Sequence, residues 1–155
     1  MSKTNAIRIL EAHAIKHSTV SYNYDEDELD AITVSEKIGA EPEAVFKTLV
    51  TMGDKTGINV FCLPATTELN LKKAASVSGN KKIEMVKMKE ILPLTGYIRG
   101  GCSPIGMKKL YPTFIDETAQ LWDEIFVSAG VRGTQVKISP IALKELVKAE
   151  FADLV

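Results

Sequence analysis

The 155 residues hold only two cysteines, two histidines and one tryptophan, little for metal, thiol or aromatic-platform chemistry. Cys62 and Cys102 lie far apart, with no CxxC spacing, so neither a disulfide framework nor a zinc site is expected. His13 and His17 stand four apart on one helix face, a pair that suits a metal only with a third ligand. None is in view, so they are expected on a solvated face, with no metal and no organic cofactor. No apolar run approaches the roughly 20 residues that cross a bilayer. The opening Met-Ser-Lys-Thr-Asn leads into a helical pattern rather than a secretory core, so the expected compartment is the cytoplasm. Charge of one sign is also missing. Lys+Arg total 19 against Asp+Glu 20, a net charge of -1, which excludes a generally basic DNA coat and leaves room for a local basic face. No dinucleotide fingerprint, P-loop, HExxH or GxSxG is found, and no His-containing triad can be assembled.

What is present is an ordinary globular mixture, 45% hydrophobic and 25% charged, enough for one domain over residues 1–155. Residues 4–17 read as an amphipathic helix with Ile7, Leu10, Ala14 and Ile15 inward. Residues 19–24 read as a strand, and Asp25 to Asp30 as a solvated connection. The capping-box spacing of Thr33 and Glu36 predicts a helix from Val34 to Gly39. Pro42 opens a short helix across Glu43 to Phe46. A hairpin follows, Thr48–Met52 and Ile58–Leu63 around Gly53 to Gly57. Asn70 caps a helix from Leu71 to Val77, closed by Gly79. Lys81–Met85 reads as a brief strand and Met88–Leu92 as a helix. Tyr97–Arg99, Thr113–Asp116, Glu124–Ser128 and Thr134–Ile138 are further strand candidates. Ser139-Pro140 starts a final helix through Ala149. Trp122 and Phe126 are expected in the core. Strands and helices mix without βαβ alternation, which predicts an α+β single domain: a strongly curved, barrel-like mixed β-sheet with helices packed outside.

The most informative stretch runs from Thr95 to Lys109. Gly100, Gly101 and Gly106 surround Ser103-Pro104, giving a stiff loop with accessible amide donors before Lys108 and Lys109. Such a loop can hold an oxyanion or phosphate; it can equally be a plain turn. Cys62 falls in an apolar strand and reads as core. Cys102 lies inside the loop, where a catalytic thiol would need a base that the sequence does not supply.

Three segments decide between these readings: Glu43–Val50, Leu69–Lys73 with Lys81–Met85, and Thr95–Lys109 continued by Pro112–Asp116 and Val127–Gly130. In this order they resemble the YbaK/prolyl-tRNA-synthetase-associated domain family of aminoacyl-tRNA deacylases. They are most similar to its bacterial YbaK/EbsC branch, which clears cysteine mischarged onto proline tRNA. The resemblance implies that Lys47 is the family's essential lysine, that Thr48 accompanies it, and that Gly100 to Pro104 is the GxxxP loop. Ser128 and Tyr22 correspond to pocket residues. Within that loop Gly100 and Gly101 would give oxyanion donors, while Cys102, Ser103 and Pro104 would border the substrate. The chain departs from the family in lacking an aromatic near Asp30–Ala31 and in carrying Gln135 where an acidic residue is expected. Both departures bear on substrate preference.

In that branch the substrate's own thiol is held to attack its ester, which fits a chain without a triad. A solvated lysine and locally satisfied hydroxyls are the plain alternatives for Lys47, Thr48 and Ser128. The pairs Lys72-Lys73, Lys81-Lys82 and Lys108-Lys109 are candidates for a tRNA face, or ordinary solubilising charge. The resemblance implies mischarged prolyl-tRNA as partner, prolyl-tRNA synthetase as a second one, and no membrane. Two other classes stay open: an alanyl-tRNA(Pro) deacylase, and a non-catalytic regulatory module on the same fold.

Overall fold

Capping side chains set where the helices at Asn5–Ala12, Leu71–Val77 and Pro140–Val147 begin, and left-handed residues set where several helices stop. The computed structural model describes residues 3–24 and 31–155; the acidic connection Asp25 to Asp30 lies outside the described residues. Thr4 accepts the Ile7 N–H at 3.2 Å and starts α1 (Asn5–Ala12). This helix is shorter than its periodicity predicts. Ala14 turns left-handed (φ 53°), its N–H donating to Glu11 O, while Ile15 N–H reaches Leu10 O. That double closure returns Ile15 to the core cluster holding Leu10. Ala14 itself is exposed, and Ala6 joins Ile7 and Leu10 inside.

β1 (His17–Ser21) follows, and then α2 (Ala31–Ile38). The helix begins before the Thr33 box, so Thr33 lies within it rather than at its cap. A single 3-10 turn spans Pro42–Ala44, and Phe46 already belongs to β2 (Phe46–Gly53), which pairs with β3 (Gly57–Pro64) as the expected hairpin. Asn70 accepts from Lys72 and Lys73 N–H at the start of α3 (Leu71–Val77). β4 (Ile83–Met85) is followed by α4 (Met88–Thr95), which runs three residues past the expected Leu92 with Pro93 inside it. β5 (Thr113–Asp116), β6 (Ile125–Ser128) and β7 (Thr134–Ile138) fall in their expected places, while α5 (Pro140–Val147) starts as expected and stops two residues before Ala149, at the left-handed Lys148. A 3-10 helix at Glu117–Leu121, capped by Asp116 accepting from Thr118 N–H, and β8 (Glu150–Ala152) are additions to the expected elements.

The expectation of one barrel-like sheet needs correction. The strands form two sheets: β1-β7-β6, all antiparallel, and β4-β2-β3-β5-β8, mixed. The ladders do not close. Among the described residues one isolated parallel bridge, Val45 to Phe126, joins them. The largest core cluster holds Leu10, Ile105, Ile115, Val127 and Leu143, and a second sits under α3 around Phe61 and Phe114. Phe126 is buried and Trp122 packs between clusters, as expected of core aromatics. Among the described residues no helix is long and apolar enough to cross a membrane.

Candidate active site

The seam between the two sheets builds the site. Because the Val45–Phe126 bridge is parallel, stepping two residues along each strand brings Lys47 and Ser128 to corresponding positions. Across the second ladder Ser128 stands opposite Gln135, and Gln135 opposite Val20 of β1. Beside the seam β2 has an open edge. β4 pairs only with Thr51 to Gly53, and Val86 N–H donates to Val50 O at 3.2 Å. That bond fixes the phase of the strand: the backbone groups of Thr48, like those of Val50, turn away from β3 toward the open edge.

A cavity of about 600 Å³ fills this seam. Lys47, Thr48, Tyr22, Gly100, Cys102 and Ser128 all line it, from four separate parts of the chain. Gln135 lines it as well, as do Val34, Met85, Met88, Ile91 and Arg99, which sequence reasoning did not single out. Arg99 had one legible signal, its place beside the loop glycines. Val34, Met85, Met88 and Ile91 had none, since nothing in their local pattern sets them apart from the other apolar residues of α2, β4 and α4.

Tertiary contacts hold the loop. Tyr97, expected in a strand, is buried, and its hydroxyl donates to Ile105 O at 2.6 Å. Asn5 donates to Gly106 O at 2.8 Å, and Arg132 Nε to Arg99 O at 3.0 Å. The turn Ile98 to Gly101 is closed by Gly101 N–H donating to Ile98 O at 3.0 Å, with Gly100 at φ 84° in the third position. Only glycine takes that conformation cheaply.

This geometry corrects three expectations. The Gly101 amide is committed to Ile98 and is not a free oxyanion donor. Among the described residues the neighbouring amides of Gly100, Cys102 and Ser103 have no protein acceptor, and of these residues Gly100 and Cys102 line the cavity. Gly101 instead serves close packing, since a Cβ there would stand 3.1 Å from the backbone of Val131 and Arg132. Ser103 is fully buried with its hydroxyl accepting Ile105 N–H at 3.2 Å, so it shapes the loop. Pro104 and Lys109 border a different, smaller cavity of about 160 Å³ with His13.

The electrostatics are those of a cationic site near which two thiols are held protonated by burial. The Lys47 ammonium is half-buried and donates to Thr67 O. Burial lowers its pKa, opposed by the Glu68 carboxylate. Burial pushes the Cys102 thiol up to about 11, against a hydrogen bond from Thr95, and the Cys62 thiol up to about 12. Both stay protonated at neutral pH. The Thr48 hydroxyl lies 3.8 Å from Cys62 Sγ, on the core side. Ser128 Oγ accepts Gly130 N–H at 3.1 Å and keeps its own hydrogen to donate. Among the described residues no group of three His, Cys, Asp or Glu side chains could hold a metal ion.

None of the six candidate tRNA lysines lines the large cavity. Lys73 is paired with Asp153 at 2.7 Å and Lys82 with Glu84 at 2.9 Å, so their charge is partly spent. Lys72, Lys81, Lys108 and Lys109 are exposed.

Comparison with known proteins gives the site a context. The model of the aminoacyl-tRNA editing domain matches residues 25–146. A relative from Enterococcus faecalis (strain ATCC 700802 / V583), named "Putative Cys-tRNA(Pro)/Cys-tRNA(Cys) deacylase EbsC", is 49% identical over 98% of this chain and 93% of its own length. A crystal structure described as "a putative trans-editing enzyme for prolyl tRNA synthetase" superposes with a TM-score of 0.85 at 26% identity, covering 99% of this chain and 98% of that one. The hypothetical protein APE2540 shares the fold, with a TM-score of 0.88 at 18% identity, over 97% of this chain and 99% of its own.

Proposed function

The chain belongs to the aminoacyl-tRNA editing domain family, and from that membership we propose that it is a trans-acting deacylase that removes cysteine from mischarged Cys-tRNA(Pro), with Cys-tRNA(Cys) as a second substrate. The observation that carries this reading is the seam cavity, shared by one ammonium, Lys47, and a loop with uncommitted amides.

An aminoacyl ester is already activated, so cleavage needs a nucleophile and a place for negative charge. The substrate supplies the nucleophile. Its thiolate sulfur bonds to its own ester carbonyl carbon and the bond from that carbon to the ribose oxygen breaks. The thiol's proton ends on the ribose oxygen. The four-membered thiolactone that leaves is opened by water to cysteine. The high pKa of Cys102 and Cys62 supports this division of labour, because neither protein thiol offers much thiolate. Lys47 favours thiolate over thiol and draws the developing oxyanion, to which the amides of Gly100 and Cys102 donate; one such donor contributes about 3 kcal/mol. Ser128 donates its hydroxyl to the aminoacyl group or terminal ribose. Thr48 contributes its edge backbone and Tyr22 the cavity wall.

Residues 1–155 act in this reading as one editing domain in the cytoplasm, where charged tRNA is used. The exposed Lys72, Lys81 and Lys108 meet tRNA phosphates, and prolyl-tRNA synthetase supplies further tRNA affinity. The test is ester loss from Cys-tRNA(Pro), Ala-tRNA(Pro) and Pro-tRNA(Pro) incubated with the pure protein. Only the first is expected to turn over. Turnover of Ala-tRNA(Pro) would remove the thiol from the mechanism, and turnover of none would make the protein a binding module.

A further inference from the structure

Among the described residues, Gln135 is the cavity-lining residue with a buried side-chain oxygen that nothing uses. The residue is 8% exposed, and its Oε1 has no hydrogen-bond partner. Its Nε2 has none among the described residues either. A buried amide oxygen left unpaired costs about 1–3 kcal/mol, and folded chains rarely retain one without a use for it. With neither end tied, the amide can turn about its last torsion and present its oxygen to the cavity.

Several other side chains of the wall are of the wrong sign for a cation or already accept a hydrogen bond. Lys47 and Arg99 are positive, Ser128 Oγ already accepts Gly130 N–H, and among the described residues no carboxylate lines the cavity. Among the described side chains of the wall, Gln135 is the buried, unpaired acceptor that a ligand amine meets, away from the ammonium of Lys47. The ladder sets that separation, with Ser128 standing between the two positions.

We infer that Gln135 is a specificity-determining residue whose amide oxygen accepts the α-amino group of the aminoacyl ester. The inference rests on the deacylase reading and deepens it. Lys47 takes the end of the substrate that becomes negative, and Gln135 reads the end that carries N–H donors. A thiol-bearing acyl group without that amine leaves the oxygen unpaired and is discriminated against.

The test compares cysteinyl-tRNA(Pro) with 3-mercaptopropionyl-tRNA(Pro), which keeps the thiol and ester and lacks only the α-amine. The wild-type protein should prefer the cysteinyl ester by about ten- to a hundred-fold in kcat/KM. Gln135→Met, similar in length and without an acceptor, should lose that preference by slowing on the cysteinyl ester alone. Gln135→Glu keeps an acceptor and should discriminate at least as well as wild type, which holds the test open if the Met variant does not fold. Equal rates on the two esters by wild type, an equal drop on both by Gln135→Met, or weaker discrimination by Gln135→Glu would each overturn the assignment. Failure of the wild type on cysteinyl-tRNA(Pro) itself would instead overturn the deacylase reading.

Discussion

Replacing Lys47 by methionine separates function from stability at a single site. Methionine keeps the stem and removes the ammonium. In the deacylase mechanism that charge meets a developing oxyanion or thiolate at contact distance. At about 4 Å and an effective dielectric near 20 the interaction is about 4 kcal/mol. A preorganised donor in such a site contributes about 3 kcal/mol. The expected loss is therefore about 10²- to 10³-fold in kcat/KM. The fold has little to lose: the side chain makes one hydrogen bond, to Thr67 O, worth about 1 kcal/mol, and its removal relieves the cost of burying the charge. The melting temperature should move by no more than a few degrees.

The pH dependence gives a second readout. Burial, partly offset by Glu68, holds the Lys47 pKa below its ordinary 10.5. Between the lowered value and 10.5 the unfolded chain binds more protons than the native one, so this residue makes stability rise with pH across that window. The Met variant should lack this rise. Measuring ester loss from labelled Cys-tRNA(Pro) alongside circular-dichroism melts checks both. A folded Met variant working within ten-fold of wild type would refute the role given to the ammonium.

Cys102→Ala keeps the backbone amide and removes the thiol, so deacylation should fall by less than about ten-fold; abolition in a folded variant would reveal a protein thiol nucleophile. Gly101→Ala presses a Cβ onto the backbone of Val131 and Arg132 at 3.1 Å, so a displaced loop and an activity loss larger than the drop in melting temperature are expected. Gly100→Ala must hold φ near 84°, at a cost of about 1–2 kcal/mol that denaturant melts can read. Raising salt should weaken tRNA binding log-linearly, and replacing exposed Lys81 or Lys108 should lower the slope by about one each. Replacing Lys82, already paired with Glu84, should change it less.

Local chemistry gave most elements their places. Asn70 and Ser139 accept from the first helical amides, and Gly79 turns left-handed after α3 wherever the rest of the chain lies. The hairpin from Phe46 to Pro64 follows from its two apolar strand runs and its glycine-flanked turn. By contrast, α1 stops at Ala12 because Ile15 must return to a core built by distant strands, and β8 exists because β5 offers it an edge. Tyr97 looked like a strand residue and became the buried post of a loop, held by a carbonyl eight positions on.

The site divides the same way. Residue types and order were enough to mark Lys47, Gly100, Cys102 and Ser128 as a group through their resemblance to a family, since such a pattern is a property of the chain. Which amides stay free was not legible, because Gly101 spends its N–H on Ile98 only once the turn closes. Nor was the seam itself. One bridge between Val45 and Phe126 sets Lys47 beside Ser128, and the β6–β7 ladder then brings in Gln135. Register between segments eighty residues apart is a contest among packings, and only the assembled core decides it.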